Sequence, residues 1–481
     1  MQISDSLKQK AEKCGIALSH YDIDGHLIFA DEKTVSTFVE LLQPPPKAKG
    51  QFDDVLAAFE NEPIDYLLNR LDLPPSSEYR YQLIDESNAI LLEKILSNLS
   101  ALSLPPLPFG YYQLSIFSDT EQYRVRLLIS PKTSFQPSVL KNKKVWGVNV
   151  QLYSLRSEQN WGIGDFGDLA VNSSRGSADV WSDPDLYCVN ASIGAPPDPL
   201  GPVGQNWNLP PYNPTVLKAR GFAPFIDMLR ANMQYFGVLR IDHVMGLFRL
   251  WWIPKGKTAA DGAYVHYPFD ELMAILAIES VRNECLIIGE DLGTVPDEVR
   301  WKLNEFQIFS YFVLYFAQRN GEFPRISDYP RNAYATIGTH DVPSLQSFWH
   351  CRDLELFNQL GILNGEVLKQ KYDQRVMDKQ ALLNSLHRDN YLPPHYEGDA
   401  LSMAMHDYLN RMIHYYLAES NSRLIGVQLE NLLSQEISFN LPATSNEYPN
   451  WCKKLAQPLA FIFSNEALKT FFVQINQGRN V

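Results

Sequence analysis

The sequence predicts an α/β fold: an incomplete (β/α)8 TIM-type barrel preceded by a helical leader and a small β-domain. Three observations predict it. From Val145 onward, short apolar runs alternate with helical stretches, the pattern of parallel βα units. Three of those runs stop at carboxylates or at a Thr-His-Asp group, and polar chemistry at the C-terminal ends of parallel strands is the layout of such a barrel. Between Leu152 and Gly237 there are one clear helix, Pro224–Tyr235, and a short apolar piece, Leu186–Ile193, and the rest is rich in Gly, Pro, Asn, Asp and Ser, so strands two and three of an eight-stranded closure are expected to be missing.

At 481 residues the chain is too long for one ordinary core. Residues 1–42 read as helical, with Leu7, Ala11, Cys14 and later Val35, Phe38, Val39, Leu41 and Leu42 at helical spacing. Pro44-Pro45-Pro46 ends that unit. Residues 79–130 then turn to period two: Tyr81 and Leu83, the run Phe109–Phe117, and Tyr123, Val125, Leu127 and Ile129. Residues 1–141 are therefore expected to be an accessory region, a helical leader plus a β-sandwich-like domain. Residues 142–481 are expected to be the barrel, internally truncated around 168–172. Its strands are expected at Val145–Leu152, Gly237–Asp242, Leu286–Glu290, Ile308–Phe316, Ala335–Thr339 and Leu424–Leu429, with helices at Pro224–Tyr235, Pro268–Arg282 and Leu354–His387.

The net charge of −13 is dispersed along the chain. That argues against nucleic acid or an anionic membrane as the main partner. Five cysteines, none at CxxC spacing, suit reduced thiols in a cytoplasmic protein. The first residues, MQISDSLKQK, hold no apolar leader, and no run approaches bilayer length. Oligomeric state is left open by the pattern.

Three strand ends carry the chemistry. In Arg240-Ile241-Asp242-His243, a charge at a buried strand end must be paired or functional, so a structural ion pair and a catalytic acid are both open. In Gly289-Glu290-Asp291, an acid could cap the next helix, but Thr294 and Pro296 suit that duty and leave Glu290 without one. In Thr339-His340-Asp341, Asp341 ahead of Val342 and Pro343 also fits a helix start. Taken together, the three acids would converge over one barrel mouth. Retaining cleavage of a glycosidic bond needs two carboxyl groups about 5–5.5 Å apart, a nucleophile and an acid/base. A third acid can stabilise the positive charge that develops at the anomeric carbon.

The segments VQLYSLRSEQNWGIGDFGDL, GAPPDPLGPVGQNWNLPPYNP, LRIDHVMGLFRLWWIP, IGEDLGTVP, ATIGTHDVPSL and NLPATSNEYPNW resemble the successive signatures of glycoside hydrolase family 77, the 4-α-glucanotransferases or amylomaltases, over residues 145–475. The resemblance implies Asp242 as nucleophile, Glu290 as acid/base and Asp341 as transition-state stabiliser. It implies Arg240 and His340 as sugar contacts in the cleavage subsite, Gln205 and Trp207 on a loop covering bound glucan, and Asn450 near the active site. The implied partners are a maltodextrin or α-1,4-glucan donor and acceptor.

Sugar rings stack on aromatic faces, which makes Trp207, Tyr212, Trp251 and Trp252 candidates, although plain packing is the favoured reading for the last two. The Gly- and Pro-dense stretch Gly194–Pro214 is expected to be a stiff covering loop. His243, His266 and His340 lack ligand spacing, so no metal is expected, and no cofactor motif is present.

The chain departs from the family where GIGDFGDL runs straight into Asp168-Leu-Ala-Val171, text that resembles the family's third strand. An intervening segment of about domain size is missing by this comparison. Two outcomes are set against each other: a working transferase, and an internally deleted homologue that is inactive and binds glucan weakly at most. A simple α-glucan hydrolase is the rival enzyme.

Overall fold

A computed structural model describes all residues except 1–2, 23–24, 45–47, 49, 77, 97–99, 151–165, 198–202, 294, 397–398, 443, 445–446 and 481. The GIGD stretch of residues 162–165, the end of the strand expected to reach Leu152, Pro45 and Pro46, and Thr294 lie outside the described residues. Two compact units are present: Met1–Phe135 with Asp165–Ile308, and Gln136–Gly164 with Phe309–Val481.

In the first unit the leader is not helical throughout. Helices Asp5–Lys13 and Glu32–Leu41 flank a hairpin, Ser19–Tyr21 against Leu27–Phe29. Each helix has a side-chain cap, from Ser4 and from Asp31. Between them Gly25, at φ 81°, turns the chain, and Asp22 Oδ1 accepts the His26 amide at 2.7 Å. That local turn chemistry overrides the helical spacing on either side.

The β-domain is a five-stranded sheet. Its order is Asp54–Phe59, Gln122–Ser130, Gly110–Phe117, Arg80–Ile84 and Ile90–Ile95, with one parallel pair and three antiparallel ones. Alternate residues Leu83, Leu114, Ile116, Val125, Leu127 and Ile129 fill one core, as the period-two pattern requires. The sheet is fastened to helix Phe269–Arg282 of the same unit. Tyr111 Oη donates to Glu279 Oε1 at 2.7 Å, and Arg230 grips the same carboxylate through Nε and Nη2, both at 3.0 Å. Glu279 is buried, so these partners balance a charge that would be costly alone.

Three parallel strands follow: Phe166–Leu169, Val238–Ile241 and Leu286–Gly289, with Val238–Ile241 in the middle. Helices Ala223–Met233 and Phe269–Arg282 precede the second and third. The first of these strands was not expected. Its four residues, FGDL, include a Gly and an Asp, both poor strand formers, and backbone pairing to Val238–Ile241 overrides that preference. The incomplete barrel thus keeps a strand beside Val238–Ile241 that the pattern did not deliver. A separate antiparallel sheet runs Gln205–Leu209, Ala191–Ala195, Arg249–Pro254, Ala263–His266.

The second unit holds parallel strands Val145–Asn149, Leu424–Gln428, Ala333–Thr336 and Phe309–Val313, in that order. Four longer helices belong to the same unit: Arg352–Gln359, Gly365–Arg388, Asp407–Ala418 and Glu466–Arg479. The single helix expected over Leu354–His387 is broken at Gly361, φ 70°, a conformation that glycine adopts at low cost. Counting both units, the described residues give seven parallel strands, one fewer than a complete barrel. No described helix is long and apolar enough to cross a membrane.

Replacing Tyr111 with Phe deletes a hydrogen bond to a buried carboxylate. It is expected to cost about 2 kcal/mol, read as a lower urea midpoint with unchanged slope.

Candidate active site

The central strand Val238–Ile241 ends in Asp242, and its neighbour Leu286–Gly289 ends in Glu290. Their parallel register pairs Ile241 with Gly289, so the two acids leave adjacent strands side by side. The Glu290 amide donates to the Ile241 carbonyl at 2.9 Å and the Asp242 amide to the Leu169 carbonyl at 2.9 Å. Backbone bonds thus carry the register one step past the strands proper.

Arg240 is 5% exposed. Its Nη1 lies 2.6 Å from Asp168 Oδ1 and its Nη2 2.8 Å from Asp242 Oδ1. The ion pair foreseen between Arg240 and Asp242 is therefore present, with Asp168 as a second anionic partner. A guanidinium suits this because its planar fork serves two carboxylates at once.

Glu290 is held differently. Its Oε2 accepts the His243 amide at 3.0 Å and its Oε1 the Leu292 amide at 2.8 Å. Burial raises its pKa, against the pull of the Leu292 amide and Arg240, and Asp242 adds to the rise; the result is about 7. Desolvation outweighs two amide donors. Glu290 caps no helix: Asp297–Glu305 starts at Pro296, without a side-chain cap.

His243 sits at φ 46°, and burial pushes its pKa down to about 4. Its ring meets Trp207 edge-on, centroids 5.2 Å apart. Trp207 Nε1 donates to Gln205 Oε1 at 3.0 Å. These two residues do not lie on a structureless loop. They sit on strand Gln205–Leu209, paired to Ala191–Ala195. The pairing is close, since a Cβ at Gly194 would overlap the Gln205 carbonyl. The glycine that suggested a loop is what lets two backbones approach. Residues 198–202 of the stretch lie outside the described residues. Trp251 and Trp252 are buried; Trp251 Nε1 donates to the Ala259 carbonyl at 2.9 Å, and packing is their role. A cavity of about 60 Å³, lined by Leu169, Val171, Phe225, Ile241 and Leu250, opens beside Asp242.

The second unit carries the third acid. Past strand Ala333–Thr336, Asp341 Oδ1 accepts from Asn440 Nδ2 at 2.8 Å, and Asp341 Oδ2 lies 3.3 Å from His340 Nε2. The His340 ring packs against Trp451 at 5.5 Å. Asp341 does not cap the next helix. Ser344 does, accepting the Ser347 amide, which leaves the Asp341 carboxylate for other work. Asn450 spends its amide inside the loop: Oδ1 accepts from Leu441 and Nδ2 donates to the Thr444 carbonyl and hydroxyl. It stiffens the segment that presents Asn440.

Two residues were missed in the sequence, Asp168 and Asn440. Asp168 had a partial signal, as the head of the Asp-Leu-Ala-Val run likened to a third strand. Asn440 stands in the quoted NLPATSNEYPNW segment, but nothing local marks an amide that bonds 99 residues away. Among the described residues no group of His, Cys, Asp or Glu is arranged to hold a metal ion.

Comparison with known proteins gives a consistent result. The family model described as 4-alpha-glucanotransferase, glycoside hydrolase 77, matches residues 166–459. A 4-alpha-glucanotransferase of Haemophilus influenzae is 68% identical over 696 positions that span all of both chains. Since this chain has 481 residues, at least 215 of those positions have no residue here. A 4-alpha-glucanotransferase of Mycobacterium tuberculosis is 32% identical over 321 residues, covering 65% of this chain and 43% of that protein. In fold, the crystal structure of amylomaltase from Corynebacterium glutamicum superposes with a TM-score of 0.85 over 99% of each chain at 18% identity.

A Cβ on Gly289 would lie 3.0–3.1 Å from the three branch carbons of Val244, which is fully buried. Gly289→Ala is expected to destabilise the unit by about 1–3 kcal/mol, seen as a lower Tm, with the loss relieved when Val244→Ala is added.

Proposed function

This chain belongs to the 4-alpha-glucanotransferase family, and from that membership we propose that it transfers α-1,4-glucan segments between maltodextrins by a retaining double displacement. One observation carries the reading: a buried carboxyl with its pKa raised to about 7, Glu290, beside an acid salt-bridged to arginine, Asp242. A carboxyl pushed toward its protonated form, next to an acid paired with a cation, is the arrangement that acid and nucleophile roles require.

In the proposed cycle Asp242 attacks C1 of a glucosyl unit while Glu290 protonates the departing oxygen. The 4-hydroxyl of a second glucan then takes the glycosyl group, with Glu290 as base. Asp341 stabilises the charge at the anomeric carbon, and Asn440 and His340 orient its carboxylate. Arg240 and His340 contact the sugar at the cleaved bond. Gln205 and Trp207, backed by His243, flank the bound glucan and keep water out, which favours transfer over hydrolysis. Asn450 acts by holding the Asn440 segment. Residues 1–141 are the accessory region and 142–481 the catalytic one. The dispersed acidic charge favours glucan over nucleic acid as partner. We place the reaction in the cytoplasm, where five unbridged cysteines stay reduced.

The test is incubation with maltotriose. Glucose released together with longer maltodextrins supports transfer; free reducing ends without longer chains support hydrolysis. The alternative, an internally deleted and inactive homologue, is raised by the 215 or more alignment positions without a residue here. Weak maltodextrin binding with no turnover is its signature.

Asp242→Asn is expected to lower transfer at least a thousandfold, on the order of other nucleophile losses, and to abolish the trapped glycosyl adduct. An adduct that persists puts the nucleophile elsewhere. A pH profile adds a second check. A raised carboxyl pKa keeps the proton on Glu290 up to about 7, so formation of the adduct should fall as pH rises through that value. A rate flat from pH 6 to 9 removes Glu290 as the acid.

A further inference from the structure

Within the second unit, two nucleophilic side chains that the proposed reaction does not use lie together. Cys351 joins helix Leu345–Trp349 to helix Arg352–Gln359, at φ 58° and with no side-chain capping bond. Left-handed backbone is costly for a residue with a Cβ, and such strain collects at functional sites. Lys379, on helix Gly365–Arg388, is 6% exposed and Cys351 9%. Lys379 Nζ donates to the Trp349 carbonyl at 3.1 Å, two residues before Cys351. One of its three N–H donors is thereby used, and no carboxylate lies within ion-pair distance of it among the described residues. One turn earlier on that helix, Arg375 is occupied by Asp353, at 2.9 and 2.7 Å.

Cys351 and Lys379 both line a cavity of about 570 Å³, with Trp349, Tyr372, Ser402 and Met403, and that cavity gives a small oxidant a way in. Burial pushes the Cys351 thiol up and the Lys379 ammonium down, and each side chain feels the other's charge. Bonding to an oxidised sulfur takes the neutral amine, and burial acts on Lys379 in that direction.

We propose that Cys351 and Lys379 form an oxidative modification site, in which peroxide joins Sγ to Nζ through a single oxygen. Hydrogen peroxide first oxidises the thiol to a sulfenic acid, releasing one water. A second peroxide then takes two electrons as the sulfenic oxygen bonds to the amine nitrogen. The O–H and one N–H bond are lost, and two waters leave. Thiol, amine and two peroxides thus give the S–O–N link and three waters. The link ties helix Gly365–Arg388 to the segment that begins at Ser344, three residues after Asp341.

The full chain is treated with hydrogen peroxide, digested with trypsin and mapped by mass spectrometry. The expected product is a Cys351 peptide joined to a Lys379 peptide, about 14 Da heavier than their sum (one oxygen gained, two hydrogens lost). Cleavage after Lys379 should be blocked, and dithiothreitol should restore it. The product should vanish in Cys351→Ser and in Lys379→Arg. Overturning results are Cys351 present only as sulfinic or sulfonic acid, about 32 or 48 Da heavier, with cleavage at Lys379 intact, or Cys351 unchanged. The map of the unsubstituted chain decides even if a variant fails to fold.

Discussion

The guanidinium of Arg240 is the constraint on which the first unit's chemistry rests. Buried at the end of the middle strand, it lies within 2.6 Å of Asp168 and 2.8 Å of Asp242. A buried charge stripped of a partner costs about 3–5 kcal/mol, so the arginine fixes both acids and, through them, the ends of two strands. Glu290 stands one strand over with no such cation bonded to it. Two amide donors are too little to offset its burial, and its proton stays on to about pH 7. Arg240 bonds directly to Asp242 and acts on Glu290 only at longer range, where burial outweighs it.

The apolar strands were legible because each is a short run rich in Leu, Ile and Val: Val238–Ile241, Leu286–Gly289 and Leu424–Gln428 all lie within the expected ranges. For Glu290 and Asp341 the rival role of helix cap fails because Pro296 and Ser344 begin the helices that follow, whereas the rival role of Asp242, an ion pair with Arg240, is present. Strand Phe166–Leu169 was not legible, since its place depends on a partner 72 residues on and not on its own composition. Strand Gln205–Leu209 was hidden by the glycine that permits its pairing. The hairpin at Ser19–Phe29 was hidden by helical spacing on both sides of it. Asn440 was hidden because a long-range hydrogen bond leaves no periodic trace.

Strand Phe166–Leu169 is an end strand in the sheet order, so a parallel edge is left there among the described residues. Short length limits such an edge as a template for aggregation, and four residues is short. At Ile90–Ile95 the other sheet also ends on an apolar edge, with Glu93 and Lys94 in it. Charges on an edge strand discourage pairing with a second chain.

The bond from Tyr111 to Glu279 joins two stretches of chain that the sequence pattern would assign to different regions. The same carboxylate holds Arg230, and Arg230 shares Glu86 of the β-domain with Arg282. Severing the polypeptide between the accessory region and the parallel strands would therefore not free two independent pieces. It would leave a desolvated anion without its phenol and expose the flank of helix Phe269–Arg282, which delivers the strand bearing Glu290. Through Glu279 the β-domain and helix Phe269–Arg282 are held as one piece, and a cut between them would leave each with a polar face built for the other.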